Sequence, residues 1–523
     1  MTSDLPLVIQ KMLQPQFYPH PVVEPIQLIQ THISFVILTG DYAYKVKKSV
    51  KFGHWLDYST LEKRYHFCQE ELRLNQRTAP DIYLEVLPIY QTAQGVELHT
   101  CNSEEIIEYT LKMQQFSQNC LFTDLLENDK LTEKHLEFLG KELAKFHQKA
   151  GVNESILKFG EIAQIKAGIE ENYQQTQKYI GNLQPLDHAQ EIKTYTDSFF
   201  NDKSEIFINR IKKSKIRECH GDLHLKNIAW YQDQAILFDC IEFNQEFRNV
   251  DVMYDVAFTV MDLQFRQQEN LANIFLNTYL EQTGDWEGLQ VLPLYLCRQA
   301  YVRAKVNSLI SDDLTVTESQ REQAARTAME YYQLAWEYTQ LLRLRSGQGS
   351  SGRLILMSGL SGSGKSTVAR YLAHHLGAIH IRSDAVRKHL AQVPLYERGD
   401  TSIYQPKMTQ KTYNRLLELG ILLANQGYSV ILDAKYDQQV FRDKVIALAQ
   451  SLELPLQIFY CTAPIHVLRK RLQQRKGDIA DATEQILFSQ QIKAEPFTEA
   501  EQPYVKTIDT TQGLEQQLWK EWL

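Results

Sequence analysis

Gly359-Leu360-Ser361-Gly362-Ser363-Gly364-Lys365-Ser366 is the stretch on which the reading of this chain turns. The run before it, Leu354–Met357, is apolar and as short as a buried strand. The run after it, Thr367–Leu376, sets Val368, Leu372 and Leu376 on one helical face. Strand, glycine turn and helix start follow in the order that G-x-x-x-x-G-K-[ST] requires of a cradle for the phosphates of a nucleoside triphosphate. Glycine lets backbone N–H groups wrap the phosphates with no Cβ in the way. Lys365 is expected at the β- and γ-phosphates, Ser366 as a Mg2+ ligand, and the whole of Gly359 to Thr367 as nucleotide-contacting chain. ATP or GTP both satisfy the motif.

Working outward, strand-like runs at Leu354–Met357, Ala378–Ile381, Ser429–Leu432 and Leu456–Tyr460 alternate with helical segments. That alternation predicts a parallel sheet with crossover helices, an α/β domain. Upstream, Ser346-Gly347-Gln348-Gly349-Ser350-Ser351-Gly352 has the small, flexible composition of a linker. Before it, Ser319–Arg345 carries Ala324, Ala328, Tyr331, Leu334, Ala335, Tyr338 and Leu342 at helical spacing. The predicted organisation is residues 1–345, a linker at 346–352, and a nucleotide-binding domain at 353–523.

The whole chain fits this division. Its 523 residues exceed one core, and 43% hydrophobic with 23% charged residues is a soluble globular balance. A formal net charge of −8 disfavours a chain-wide nucleic-acid or membrane-surface role. Residues 1–13 include Asp4 and lack a basic start followed by an apolar core, so they do not read as a secretory signal. No apolar run approaches the roughly 20 residues of a membrane helix. Seven scattered cysteines (Cys68, Cys101, Cys120, Cys219, Cys240, Cys297 and Cys461) form no C-x-x-C pair, which suits a reducing cytoplasm.

Residues 1–345 begin β-rich. Ile33–Leu38, the turn Thr39-Gly40-Asp41 and Tyr42–Lys47 read as a hairpin. Leu61–Asn75 reads as a helix, Tyr83–Tyr90 and Gly95–His99 as strands, and Ile106–Phe116 as an edge strand. From Thr132 the pattern is helical apart from a β-like patch at Ile228–Phe238. A small β-rich lobe at about 27–116 followed by a helical lobe at 117–345 is an α+β arrangement.

Within it, His220-Gly221-Asp222-Leu223-His224-Leu225-Lys226-Asn227 fits H-x-D-x-x-x-x-N. A short hairpin and Asp239 follow. This order and spacing resemble the protein-kinase signature, where the loop Asp takes the acceptor proton, the Asn holds one Mg2+ and the later Asp a second. The resemblance is nearer to the aminoglycoside phosphotransferase-like branch, over about Gln27 to Arg345. It implies Asp222 as base and Asn227 and Asp239 as metal ligands. Tyr42-Ala43-Tyr44-Lys45-Val46-Lys47 resembles the strand that carries the phosphate-binding lysine. Alternation leaves Lys45 and Lys47 on one face; Lys45 is favoured, Lys47 second. Glu71 is the candidate partner of that lysine, against the alternative of a solvated helix face. Two departures stand out. No G-x-G-x-x-G loop precedes Lys45, and Asp239 is followed by Cys240-Ile241-Glu242, in which Glu242 is a further candidate metal or polar ligand.

In the second domain, Asp384 follows a strand end, where ligands of parallel sheets bind, and could deprotonate an acceptor hydroxyl. Arg387 lies one turn on, and Asp433 ends a strand as a Mg2+-supporting acid. The basic helix Arg469-Lys470-Arg471-Leu472-Gln473-Gln474-Arg475 resembles the arginine-bearing lid of P-loop small-molecule kinases, with Arg471 and Arg475 as candidates. From about Arg353 the chain resembles the group that includes gluconate kinase, chloramphenicol phosphotransferase and the kinase half of polynucleotide kinase.

The expected fold is therefore an α+β bilobal protein-kinase-like domain followed by an α/β P-loop NTPase domain with a parallel sheet. The expected function is a cytoplasmic, bifunctional ATP-dependent phosphotransferase, with ATP (or GTP) and Mg2+ and small-molecule hydroxyl acceptors. The rivals are a polynucleotide 5′-kinase activity in the second domain, which the overall acidity disfavours, and a nucleotide-gated regulatory protein with a non-catalytic first domain.

Overall fold

Alternating β-branched and aromatic residues between residues 27 and 114 pair into one antiparallel sheet of six strands. Their order is Gln27–Gln30, Ser34–Leu38, Tyr42–Lys47, Glu105–Gln114, Tyr83–Thr92, Gly95–Glu97. The computed structural model describes residues 5–53, 55–93, 95–98, 105–346, 352–475 and 477–514. His99, Cys101 and most of the expected linker, residues 347–351, lie outside them. The chain divides into two compact units, Met1–Ile165 with Phe207–Asp262, and Lys166–Ile206 with Leu263–Leu523.

In the first unit the turn at Thr39-Gly40-Asp41 closes the expected hairpin, with Thr39 N–H donating to Tyr42 O at 2.9 Å. Gly40 has φ +109°, and a Cβ there would come within 2.5 Å of Val23, so both conformation and space require glycine. The segment expected at the sheet edge, Ile106–Phe116, is instead central. Glu105–Gln114 pairs on one side with Tyr42–Lys47 and on the other with Tyr83–Thr92, Leu111 facing Lys45 and Val86. Leu111 and Thr110 are fully buried, as a strand paired on both sides demands. The helix Leu61–Asn75, capped by Thr60, packs beside this sheet and buries Glu71 and Asn75. Further on, Glu133–Lys149 buries Leu136, Leu139, Leu143 and Phe146 on one face. A two-strand ladder, Ile216–Glu218 with Asn249–Asp251, leads into the loop 219–227. The hairpin Ile228–Tyr231 and Gln234–Leu237 then delivers Asp239.

The second unit joins helices, among them Leu186–Asp202, Glu269–Thr283, Leu292–Ser311 and Glu318–Ser346, to a parallel sheet of five strands. The sheet order is Ile379–Arg382, Ser429–Asp433, Arg353–Ser358, Leu456–Thr462, Val505–Asp509. Four of these strands match the expected runs. The fifth, Val505–Asp509, went unanticipated because only Ile508 of its five residues is buried. Ile355, Met357, Val368, Leu372, Ile431, Phe459 and Ile508 form the core between this sheet and the helix Lys365–Leu376. Gly377, with φ +58°, ends that helix in the left-handed conformation that glycine adopts without strain.

Candidate active sites

In the first unit, period-two alternation places Lys45 and Lys47 on one face of their strand, and both reach the same carboxylate. Lys45 Nζ lies 2.6 Å from Glu71 Oε1, and Lys47 Nζ lies 2.6 Å from Glu71 Oε2. Lys45 also lies 2.6 Å from Asp239 Oδ1. Lys47 turns to Glu242, which accepts a hydrogen bond from Tyr58 as well. Glu71 is fully buried, so the solvated-face alternative does not hold. Burial by itself opposes charge on these groups. The mutual contacts outweigh it: Asp239 and Glu71 hold Lys45 protonated well above its ordinary range, and the two ammoniums hold the Glu71 carboxyl below its own. Glu242, a candidate metal ligand by resemblance, has an oxygen committed to Lys47 and Tyr58.

The loop 220–227 is fixed by Asp255. Its two oxygens accept the backbone N–H groups of His220 and Gly221, each at 2.8 Å, and His147 Nε2 at 3.1 Å. His220 Nε2–H donates to Phe238 O at 2.9 Å, and its Nδ1 accepts from Asp222 N–H at 3.3 Å. His220 is thus the prop of the loop. Asn227 Nδ2 donates to Asp222 O at 2.9 Å and Asp222 Oδ2 at 3.2 Å. The Asp222 and Asp239 side chains are 36% and 44% exposed, accessible to a ligand, unlike Glu71. Asp239 has φ +63°, and its N–H donates to Tyr83 Oη at 3.1 Å. Carboxylate and amide oxygens of Asp239 and Asn227 are the donor set of a hard divalent cation, so these residues fit Mg2+.

In the second unit, Gly359, Gly362 and Gly364 have φ of +133°, +79° and +89°. A Cβ at Gly359 would meet Cys461 O at 2.4 Å, and one at Gly364 would press on Thr510. Lys365 Nζ donates to Leu360 O at 2.8 Å, across the loop. Among the described residues no carboxylate stands within ion-pair distance of it, and burial lowers its pKa. A half-buried ammonium beside a loop of positive-φ glycines fits an anionic ligand. Ser363 Oγ is buried and has no hydrogen-bond partner among the described residues. Ser366 and Thr367 start the helix Lys365–Leu376. Thr367 N–H donates to Gly364 O at 3.1 Å, and among the described residues the N–H groups of Lys365 and Ser366, in the first turn, have no backbone acceptor.

Asp433 ends its strand, buried, and accepts from His380 Nε2 at 3.0 Å. Burial would raise its carboxyl; His380, Arg382 and Lys365 hold it at about 2. A buried, ionised carboxylate near a phosphate loop fits Mg2+ support. Asp384 stands in the first turn of the helix Ser383–Ala391, and burial raises its pKa. Arg387, on the same face, donates to Ile403 O at 2.9 Å and lies over the Tyr404 ring. Arg471 donates to Thr510 Oγ1 at 2.8 Å and Thr510 O at 2.7 Å, and Arg475 to Ala482 O. Both guanidiniums of the expected lid thus rest on the protein.

A family model described as "Phosphotransferase enzyme family" matches residues 123–292. One described as "AAA domain" matches residues 354–497. The chain is 30% identical over 474 residues to the uncharacterized protein Rv2004c of Mycobacterium tuberculosis, covering 89% of this chain and 90% of that protein. The chain belongs to that family. It is a kinase, with a phosphotransferase-type kinase-like domain followed by a P-loop domain. It is also 28% identical over 175 residues to the adenylyl-sulfate kinase of Myxococcus xanthus, covering 33% of this chain and 89% of that enzyme. A choline kinase structure from Cryptosporidium parvum Iowa II superposes with a TM-score of 0.39 at 12% identity, over 63% of this chain and 94% of that one. Among the described residues no helix of this kinase is long and apolar enough to cross a membrane.

Sequence reasoning passed over Asp255, His147, Tyr58 and His380. Two carried a usable signal. Asp255 is a lone acid in the apolar run Val252–Phe258, and His380 a lone polar residue between Ile379 and Ile381. A polar group in a buried run needs a partner, which makes it a candidate for a structural or catalytic bond.

Proposed function

We propose that this kinase carries two phosphotransferase sites, assigned to residues 1–345 and 353–523 on either side of the 346–352 segment. Each moves the γ-phosphate of ATP, with GTP as the other possible donor, to a hydroxyl group of a small-molecule acceptor. The observation that carries the reading is the Lys45 ammonium held 2.6 Å from both Glu71 and Asp239. Kinase-type transfer needs a lysine paired to a helix acid and set against the metal-binding acid. Asp222 takes the acceptor proton, held by Asn227 in a loop anchored through Asp255. In the second site, the Lys365 ammonium holds the donor phosphates together with loop N–H groups that have no acceptor among the described residues, those of Gly362, Gly364, Lys365 and Ser366. Gly359, Ser361, Ser363 and Thr367 donate to protein acceptors that shape the loop. Asp384 takes the acceptor proton there; its raised pKa brings it nearer the range in which a general base works best. Arg387, pinned by Ile403, faces the acceptor. Magnesium, held by Asn227 and Asp239 or by Ser366 with support from Asp433, offsets phosphate charge when bound.

The test is the full chain with labelled ATP and Mg2+ against sugars, aminoglycosides, hydroxy acids, nucleosides and short oligonucleotides. Asp222→Asn and Asp384→Ala are expected to abolish different products. Phosphate release with no labelled product from any acceptor would favour the regulatory rival. An oligonucleotide product with steeply salt-dependent affinity would replace the small-molecule acceptor at the second site.

A further inference from the structure

The strand Ile379–Arg382 lies at the edge of the parallel sheet, where backbone groups of alternate residues lack a strand partner. The helix Glu269–Thr283, from the same compact unit, covers that edge. Asn273, Asn277 and Glu281 stand at i, i+4 and i+8, one stripe of the helix. Four helical residues rise about 6 Å, and two strand residues span about 6.6 Å. The stripe therefore meets residues 378, 380 and 382 nearly in register. Asn273 Nδ2 donates to Ala378 O at 3.0 Å. Asn277 Nδ2 donates to Ala378 O at 3.0 Å, and Asn277 Oδ1 accepts His380 N–H at 2.8 Å. Glu281 Oε2 lies 3.6 Å from the Arg382 guanidinium. The side-chain amide of Asn277 thus does what a neighbouring strand would do: it accepts from one residue and donates to the carbonyl two places earlier. Gly284, with φ +65°, ends the helix where a Cβ would come within 2.9 Å of the His389 ring.

The residue whose backbone Asn277 fixes is the residue whose side chain holds Asp433. We propose that Asn277 is a positioning residue of the P-loop kinase, acting through His380 on the Asp433 carboxylate. The helix Glu269–Thr283 is then a working part of that site, although the "AAA domain" match starts only at residue 354. This rests on the reading of Asp433 as the acid that supports Mg2+.

The experiment uses the full chain with the first site disabled by Lys45→Met. ATP affinity is measured by calorimetry with Mg2+ and with EDTA, and the ratio of the two is the readout. Asp433→Ala is expected to abolish the gain that Mg2+ confers. Asn277→Ala is expected to cut that gain about tenfold and leave Mg2+-free affinity unchanged. Asn273→Ala removes a donor to Ala378 O and the acceptor of one Asn277 Nδ2–H at 3.0 Å, but leaves Asn277 Oδ1 on His380 N–H and Asn277 Nδ2 on Ala378 O, and is expected to leave the ratio within about twofold. Asn277→Asp keeps the acceptor for His380 N–H and is expected to retain most of the gain, which also serves if Asn277→Ala does not fold. Asn277→Ala added to His380→Ala is expected to change the ratio no further, since both act along one path. An unchanged ratio in Asn277→Ala, an equal fall in Asn273→Ala, or additivity with His380→Ala overturns the proposal. An unchanged ratio in Asp433→Ala overturns the Asp433 reading and the proposal with it.

Discussion

The two candidate sites hold positive charge against a phosphate in opposite ways. In the first unit, Lys45 and Lys47 share the two oxygens of a buried Glu71 and extend to Asp239 and Glu242. Every charge there has a partner before any ligand arrives. In the second, Lys365 is half-buried, donates to the Leu360 carbonyl and feels Asp433 and Asp384 only from beyond ion-pair contact, and the backbone of Gly359 to Thr367 makes the cradle. The first site is a side-chain network built from four distant segments. The second is one continuous stretch that a strand and a helix aim. A network couples stability to the site, because removing one charge strands another. A backbone cradle separates them, because desolvation of the ammonium there outweighs its attraction to Asp433 and Asp384 and burdens the empty fold.

The largest effects test the proton acceptors, where the two sites are expected to behave alike. Asp222→Asn keeps the shape of the loop and removes the base, and is expected to lower transfer by the first site on the order of 10²–10⁴-fold. Asp384→Ala is expected to do the same to the second site with ATP affinity nearly unchanged. Product formation and calorimetry on each variant check this. Equal loss of ATP affinity and transfer in Asp384→Ala would make that residue part of the cradle.

Stability should separate the sites. Lys47→Met leaves Glu71 with Lys45 alone and Glu242 with only a phenol, a broken buried network of a kind that costs about 3–5 kcal/mol. Lys365→Met removes a half-buried charge with no carboxylate in contact among the described residues, whose desolvation outweighs its attraction to Asp433 and Asp384, and is expected to leave the ligand-free protein as stable or more so. Thermal unfolding of both variants decides it. A loss at Lys365 as large as that at Lys47 would erase the contrast.

The alkaline limb sharpens the same point. Lys45 has its pKa raised in the fold, so its contribution is complete below its ordinary value of 10.5 and fades only as pH climbs through the higher folded value. Lys365 has its pKa lowered, so the unfolded chain binds the proton more tightly. Its burden is greatest below the folded pKa and shrinks as pH approaches 10.5. The Tm advantage of Lys365→Met over the unmodified chain should therefore narrow as pH rises from 7 towards 10.5. The deficit of Lys45→Met should persist over that range.

How much of this the sequence displayed follows from the same distinction. The cradle is contiguous, so eight residues and their flanks revealed strand, turn and helix together. The first site is assembled from afar. His220 to Asn227 and Asp239 were visible as spacing, yet alternation put Lys45 and Lys47 on one face and could not choose between them. Glu71 takes both, one on each oxygen. Glu105–Gln114 read as an edge because a strand's local pattern does not encode which strands flank it. Val505–Asp509 was invisible because its single buried residue leaves no apolar run. The Asn273, Asn277 and Glu281 stripe looks like any polar helix face until the strand a hundred residues later is laid beside it.

The smallest expected effect probes how far the cradle depends on side chains at all. Gln490, from the short helix Leu487–Lys493, accepts Ser361 N–H at 3.1 Å and donates to Ser361 Oγ at 3.1 Å. Both bonds are neutral, and a neutral bond contributes about 0.5–1.5 kcal/mol net. The loop keeps its positive-φ glycines and the bond from Thr510 Oγ1 to Ser363 O at 2.8 Å without Gln490. Gln490→Ala is thus expected to loosen one corner of the cradle and weaken ATP binding about two- to fivefold, measured by calorimetry in the Lys45→Met background. If the site were a network like the first, losing a buried contact would spread through it. A hundredfold loss of affinity would therefore show that the phosphate loop is held open by its side-chain neighbours, and that the two sites differ less than their geometry indicates.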